Sequence, residues 1–139
     1  MEPSSVDYRD HRVSTSDATN DTDNYGSWFT WCMVTTHADI LCPAPWRVPS
    51  QDDFVNYSGG GNNSAITGGT HESPGVDGWL FGSFANIGSV YDEMRGYYWS
   101  STESSISSNY GMNANVDNSR FNSLGGSPRN YGNSLRCVK

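Results

Sequence analysis

Asparagine, tyrosine, serine and arginine recur between Tyr110 and Asn133, where their side chains could bind a ligand. Asn and Ser donate and accept hydrogen bonds, Tyr adds rigid contact area, and Arg adds a charged planar donor. Antibody paratopes use the same residue types to recognise ligands without catalysis. The alternative interpretation is a solvated sheet face that binds nothing. The predicted ligand-binding residues are Tyr110, Asn113, Asn115, Asp117, Asn118, Arg120, Asn122, Ser127, Arg129, Asn130, Tyr131 and Asn133.

Residues suited to catalysis or metal binding are scattered. His11, His37 and His71 lie in separate polar stretches, and no Ser–His–Asp order, HExxH motif or carboxylate pair stands out. The acidic run 17–23 could form a calcium loop, but it lacks the Gly and the closing Glu of an EF-hand. We therefore expect a protein that is not an enzyme, with no catalytic residues, no metal site and no cofactor.

Several of the predicted ligand-binding residues fall in a predicted strand, in which residues of the two faces alternate along the sequence. Tyr110, Met112, Ala114 and Val116 fall on one face, which we expect in the core, and the residues between them fall on the other face, which we expect in solvent. A turn at 118–119 returns the chain along 120–124, and 125–128 is expected to be a loop. The stretches 96–103 and 134–139, at the two ends of the C-terminal region, are predicted to be buried strands.

Two short helices are expected before this sheet. The first spans 24–36, with Asp23 or Asn24 as its cap and an apolar face that includes Trp28 and Trp31. The second begins at Ser50, which has the spacing of a capping box with Asp53, and ends at the glycines 59–61. The glycine-rich stretch 58–78 is expected to form loops, since Gly, Asn and Ser favour turns.

The composition indicates one loop-rich domain, 1–139, of α+β or all-β class. Its hydrophobic content is 35%, its aromatic content 13% and its charged content 17%, so a few large rings must bury most of the apolar area. The polar segment 1–23 could hold an edge strand and a loop. The net charge of −7 argues against nucleic acid as a partner, and no apolar run is long enough for membrane insertion.

The three cysteines, Cys32, Cys42 and Cys137, have no CxxC spacing, which argues against a zinc or redox motif. One disulfide with one remaining thiol fits an extracellular domain. Three reduced thiols in a cytoplasmic protein are the alternative.

Several motifs in order resemble the Fibrobacter succinogenes major paralogous domain, a secreted family with a C-type-lectin-like fold. The motifs are NYGSWF at 24–29, LCPAPWRVPS at 41–50, GYYWSSTE at 96–103 and SLRCVK at 134–139. The resemblance implies an α+β, C-type-lectin-like fold with two short helices on a small twisted antiparallel sheet and long irregular loops. Pro45 departs from the family, which has Gly there, and 59–78 matches poorly.

The resemblance also implies the roles of particular residues. Cys42 and Cys137 would form a disulfide between the helical half and the last strand, which leaves Cys32 as a buried thiol. Trp46 and Trp99 would be core tryptophans. The protein would be secreted or displayed on a cell surface or virion, its signal segment having been removed.

The tract 110–133 further resembles the variable proteins of diversity-generating retroelements, in which exposed positions of a C-type-lectin-like scaffold are diversified. Together the resemblances imply a non-catalytic extracellular binding or adhesion module for an unknown protein or glycan on a host or neighbouring cell. Calcium-dependent sugar-binding lectins carry Glu-Pro-Asn or Gln-Pro-Asp and Trp-Asn-Asp triplets; none occurs here, and 115–118 matches the last only in part. A surface or fimbrial-tip subunit is one alternative. A catalyst like the formylglycine-generating enzymes is another, although these use a cysteine pair near the C-terminus.

Overall fold

The computed structural model describes residues 28–69, 79–80, 84–85, 89–90 and 95–139. As predicted, the chain is α+β, with short helices and a small antiparallel sheet. Its elements are α1 (Trp31–Thr36), α2 (Ala38–Leu41), α3 (Gln51–Ser58), β1 (Asn62–Asn63), β2 (Gly68–Gly69), β3 (Trp79–Leu80), β4 (Phe84–Ala85), β5 (Ser89–Val90), β6 (Gly96–Glu103), β7 (Tyr110–Val116) and β8 (Phe121–Pro128). The expected edge strand and loop of 1–23, the acidic run 17–23, His11 and His71 lie outside the described residues.

The main sheet has four strands in the order β1-β8-β7-β6, and every neighbouring pair is antiparallel. β2 pairs in parallel with β3, and β4 pairs antiparallel with β5. Two loop predictions are therefore wrong in part. The stretch 58–78 contains β1 and β2, and 125–128 continues β8, because Gly125 and Gly126 pair directly with Asn113 and Met112 of β7.

Both faces of the sheet are covered, each by a different helix. Adjacent residues Tyr98 and Trp99 of β6 point to opposite faces, and both are buried. Trp99 belongs to a core cluster with Trp31, Met33 and Val34 of α1. Tyr98 belongs to a second cluster, which includes Phe54 of α3 together with Trp79, Ala114, Val116 and Phe121. The sheet is therefore enclosed between α1 and α3 over part of its length.

Helix α1 begins later than the sequence predicts. Thr30 is its N-cap, and the Thr30 hydroxyl accepts a hydrogen bond from the Met33 N–H at 3.3 Å. Phe29 and Thr30, which precede it, are extended: Phe29 forms an antiparallel bridge with Asn133, and Thr30 has β-region backbone angles. Phe29 O also accepts from the Trp99 indole N–H at 2.6 Å, which ties this segment to β6. The caps predicted for this helix, Asp23 and Asn24, lie outside the described residues. The short helix α2 follows α1 directly and was not predicted.

Helix α3 confirms the predicted start and stop signals. The Ser50 hydroxyl accepts from the Asp53 N–H while the Asp53 carboxylate accepts from the Ser50 N–H at 2.7 Å, forming a capping box. Gly59 ends the helix at φ 73°, a left-handed conformation that glycine adopts without strain. The Gln51 side chain donates to Ser123 O of β8, which fixes the helix against the sheet.

The disulfide between Cys42 and Cys137 is present, with a Cα–Cα distance of 5.6 Å, and it confirms the predicted pairing. Cys32 is buried and outside this disulfide, also as expected. The predicted closing strand is wrong in detail, since 134–138 makes isolated bridges from Ser134 to Tyr98 and from Val138 to Arg47.

Trp99 is fully buried, as expected, but the prediction that Trp46 is a core residue is wrong. Trp46 is 48% exposed. It closes a turn at the surface, where its N–H donates to Pro43 O at 2.9 Å, and its ring lies 5.9 Å from Lys139 Nζ.

Candidate functional site

A polar cleft of about 430 Å³ opens at one end of the main sheet. It lies between the loop that joins β6 to β7 and the segment that follows β8. The residues that line it are Ser108, Asn109, Pro128, Arg129 and Asn130. Residues with hydroxyl, amide and guanidinium side chains thus meet at one concave surface, and such side chains can donate and accept hydrogen bonds.

The β6–β7 loop is shaped by its own serine side chains. Ser104 Oγ accepts from the N–H groups of Ile106 at 3.2 Å and Ser107 at 3.3 Å, and Ser107 Oγ accepts from the Asn109 N–H at 3.3 Å. Such local bonds favour turns over extended chain, which explains why strand pairing stops here. These hydrogen bonds hold the loop in a turn that forms one wall of the cleft.

The opposite wall is tied to both the loop and α1 through Arg129. The Arg129 N–H donates to Asn109 O at 2.9 Å, and Arg129 O accepts from the Trp31 N–H at 3.1 Å. The Arg129 side chain is 22% exposed, and its guanidinium carbon lies 4.1 Å from the centre of the Trp31 ring. Nε donates to Tyr110 O at 3.2 Å, so the side chain is fixed on two sides.

Four predicted residues that are not buried fall at this end of the sheet. Arg129 and Asn130 line the cleft, Tyr131 follows them in the turn closed by its N–H to Pro128 O at 3.0 Å, and Tyr110 begins β7 beside them. Tyr110 was placed on the core face by its alternation, but it is 40% exposed because the faces of β7 are covered only in part.

Another group lies at the other end of β7, about 20 Å away at the usual rise per strand residue. Asp117, Asn118 and Arg120 form the β7–β8 hairpin turn, which confirms the predicted turn. Asp117 Oδ1 accepts from the N–H groups of Ser119 at 2.8 Å and Arg120 at 2.9 Å. Burial favours the protonated acid, but the hydrogen bonds from Ser119 and Arg120 outweigh it, so the pKa of Asp117 lies below its usual value.

Asn115 and Asn122 lie between the two ends and are half-buried. They pair with each other across β7 and β8. Asn122 Oδ1 accepts a hydrogen bond from the Leu124 N–H at 2.9 Å, so the oxygen of this side-chain amide is already used by the backbone.

The prediction that Asn113, Ser127 and Asn133 face outward is wrong, since all three are buried. Asn113 pairs with Trp99 and points to the sheet face that α1 covers. Ser127 pairs with Gly111 on that same face, and Asn133 is bridged to Phe29. Alternation in β7 predicts one face in the core and one face in solvent. In the structure, however, both faces of the strand carry buried residues.

The sequence-based set omitted Ser108, Asn109 and Pro128, which line the cleft. Ser108 and Asn109 share the composition of the predicted tract, but the alternation that marked the tract begins only at Tyr110. Extending the tract back to the end of β6 by composition alone would have included them.

A second cavity, of about 120 Å³, lies beside α3 and has aromatic walls. The Arg136 guanidinium carbon sits 4.3 Å from the centre of the Trp79 ring, and Tyr57 OH accepts from the Trp79 indole N–H at 3.1 Å. Trp79 and Phe54 also belong to the core, so these walls are part of the framework.

Within the described residues, no group of at least three His, Cys, Asp or Glu side chains could hold a metal ion. In the same part of the chain, no helix has the length and apolar character needed to cross a membrane. Comparison with protein families gave no matching family model, and neither the curated proteins nor the solved structures gave a match.

Proposed function

We propose that this protein is a non-catalytic, extracellular binding or adhesion module that presents the polar cleft to a protein or glycan. The single observation that carries the proposal is the cleft of about 430 Å³, which combines two Asn amides, a Ser hydroxyl and one Arg. Its walls are held by backbone and serine hydrogen bonds, so a ligand would bind at a small cost in conformational entropy.

The fold that we propose for this function is C-type-lectin-like, and the family is that of the Fibrobacter major paralogous domain. The motif order supports it, and so does the arrangement of two helices against an antiparallel sheet. The bond between Cys42 and Cys137, which links the helical half to the last residues, agrees with the same resemblance.

An extracellular location is supported by this disulfide, because such bonds persist in oxidising compartments. The same bond uses Cys137, the cysteine nearest the C-terminus, and therefore favours binding over a reaction that needs a cysteine pair there. We propose a secreted or surface-displayed module, on a cell or on a virion.

We also propose that the tract 110–133 is diversified in sequence, but at fewer positions than its composition alone implies. Asn113, Ser127 and Asn133 support the sheet from inside and are expected to stay constant. The positions expected to vary are the accessible ones of the tract, such as Tyr110 and Asn130. Related sequences from one source would differ at these accessible positions; differences spread evenly along the chain would contradict the proposal.

The test compares two double variants for binding to a glycan array and to host cell surfaces. Asn109→Ala/Asn130→Ala alters the cleft, and Asn118→Ala/Arg120→Ala alters the hairpin turn at the far end. We expect the first to reduce binding at least tenfold and the second to leave it within about twofold, since two amide hydrogen bonds are lost only in the first. If only the hairpin variant loses binding, the cleft is the wrong site.

An assembly subunit is a second candidate, favoured by one exposed residue. Ile106 is 93% exposed in the loop that forms one wall of the cleft. Burial of this side chain against another copy of the chain would be favourable by about 1.5–3 kcal/mol. Light scattering of the isolated protein decides between the two candidates: a monomer supports a receptor, and a multimer that dissociates on Ile106→Ser supports an assembly module.

A further inference from the structure

Among the described residues that line the cleft, Arg129 is the one whose side chain carries a full charge. Trp31 packs against one side of its guanidinium at 4.1 Å, and Tyr110 O occupies its Nε–H at 3.2 Å. Because the group is mostly buried, its rotamer is restricted and its charge is less screened than that of a surface Arg. Arg129 is therefore a preorganised cationic donor.

Most of the hydrogen-bonding capacity of this guanidinium remains at its two terminal nitrogens. Within the described residues, its ionic neighbour is Glu103, whose Oε1 lies 3.6 Å from Nη2. That separation exceeds the roughly 2.7–2.9 Å of a charge-assisted hydrogen bond, and Glu103 is 72% exposed. Glu103 thus holds Arg129 loosely and can be displaced at low cost.

Resting on the proposed function, we infer that the cleft selects ligands that carry a carboxylate, with Arg129 as the anchor. The planar Nη pair matches two carboxylate oxygens, and the same cleft is lined by Ser108, Asn109 and Asn130, whose side chains can add neutral donors. A phosphate dianion fits less well, since the protein has a net charge of −7 and Glu103 lies beside the anchor. The carboxylate could belong to an acidic sugar or to an acidic peptide.

Glu103 then acts as a competitor for the anchor. Replacing it by Gln removes the negative charge beside Arg129 and keeps the size of the side chain. We expect Glu103→Gln to tighten binding of a carboxylate about two- to fivefold, the range of an exposed ion pair. Arg129→Gln should weaken binding at least tenfold, because a charged donor is lost. Arg129→Lys should bind a carboxylate more weakly than the wild type but better than Arg129→Gln, since it keeps the charge and loses the planar pair of donors.

The experiment uses matched pairs of small probes that differ in the carboxylate. Glucuronate is compared with glucose, and N-acetylglutamate with N-acetylglutamine, by titration of the ¹⁵N-labelled protein followed by NMR. The result expected is selective movement of the Ser108, Asn109 and Asn130 amides with at least one acidic probe, weakened by added salt. Comparison of the two acidic probes, glucuronate and N-acetylglutamate, separates an acidic sugar from an acidic peptide as the preferred ligand.

Arg95→Gln is the charge control, because Arg95 is exposed and precedes β6 at the far end of the sheet. It should change binding by less than twofold. Equal binding of acidic and neutral probes, no response at the cleft amides, or no effect of Glu103→Gln would each overturn the inference. None of these outcomes removes the proposed function, which the Asn109→Ala/Asn130→Ala variant tests on larger ligands.

Discussion

The Asn113 amide donates from Nδ2 to Ser127 Oγ across 2.6 Å, and both residues are buried between β7 and β8. Asn113 was predicted to contact a ligand, yet it is 0% exposed on the face that α1 covers. Its neighbour Gly125 leaves the space that this amide occupies, because a Cβ there would lie 2.3 Å from Asn113 Oδ1. The pair thus serves the interior of the sheet.

Asn113→Ala is expected to lower the free energy of unfolding by about 1–3 kcal/mol, since Ser127 Oγ would lose its buried donor. Ser127→Ala removes the other partner, and the double variant should cost less than the sum, by about 0.5 kcal/mol or more. Urea unfolding of the three variants measures this coupling. Additive effects would mean that the hydrogen bond does not stabilise the fold. Asn118→Ala, in the exposed turn, serves as the control and should stay within about 0.5 kcal/mol of the wild type.

Gly111 and Gly126 lie in paired strands and provide a matched comparison. A Cβ on Gly111 would lie 2.3 Å from Trp31 Cδ1, whereas the nearest atoms to one on Gly126 are 3.7 Å away. We expect Gly111→Ala to destabilise the protein by about 1–3 kcal/mol through overpacking, and Gly126→Ala to be nearly neutral. Thermal unfolding of both variants tests this, and a neutral Gly111→Ala would contradict the packing of Trp31 on β7.

Displacing Trp31 should also disturb the cleft. Its indole N–H donates to Ser100 O at 2.9 Å, and its ring supports the Arg129 guanidinium. Gly111→Ala is therefore expected to shift the NMR signals of Arg129 and Asn130 more than Gly126→Ala does. Equal shifts for the two variants would mean that the position of Trp31 in α1 does not affect the structure of the cleft.

Local signals in the sequence predicted local structure well. Ser50 and Asp53 form the predicted capping box, Gly59 ends α3, and the hairpin turn at Asn118 lies where its residue types place it. Each of these features depends on hydrogen bonds within a few residues, which a sequence shows directly.

The burial of β7 could not be read from the same sequence. Alternation separates two faces, but it does not say whether a helix covers each of them. Ala114 and Asn113 are adjacent and both buried, because α3 and α1 cover opposite faces. The cleft was missed in part for a related reason, since Asn109 and Arg129 are distant in sequence and are brought together by a tertiary hydrogen bond, from the Arg129 N–H to Asn109 O.

The salt bridge between Arg47 and Asp53 predicts a dependence of stability on pH. Hydrogen bonds from Arg47, at 2.5 and 2.9 Å, lower the pKa of Asp53 despite the opposing effect of burial, and Ser50 adds to the shift. Because the pKa is depressed in the folded state, this stabilisation is complete above the unfolded value of about 3.9 and is lost as the pH falls below it.

Urea unfolding between about pH 6 and pH 2 should therefore show a steeper loss for the wild type than for Asp53→Asn, which cannot titrate at this position. Arg47→Gln should flatten the curve in part, since the Ser50 hydrogen bonds remain. Parallel curves for the wild type and Asp53→Asn would show that the pair contributes nothing to acid stability.

The disulfide joins residues 95 positions apart, and its removal should have the largest effect on stability. In the chain-entropy model a loop of this length stabilises the fold by about 4–5 kcal/mol. Cys42→Ser/Cys137→Ser should lose up to that amount in urea unfolding. Reductant should bring the wild type close to this variant and leave the variant unchanged. Cys32→Ala should respond to reductant as the wild type does, since Cys32 is outside the bond.

The loss should be felt first in the C-terminal segment. Residues 134–138 are attached to the rest of the fold by isolated bridges to Tyr98 and Arg47, so few backbone hydrogen bonds hold them once the covalent link is gone. Hydrogen exchange of the Ser134 and Val138 amides, and of the Trp99 amide that donates to Ser134 O, should therefore accelerate more in the disulfide-free variant than exchange of the Tyr98 and Ala114 amides, which are paired within β6 and β7. Uniform acceleration across these amides would mean that the bond acts only on the unfolded chain and does not hold this segment in place.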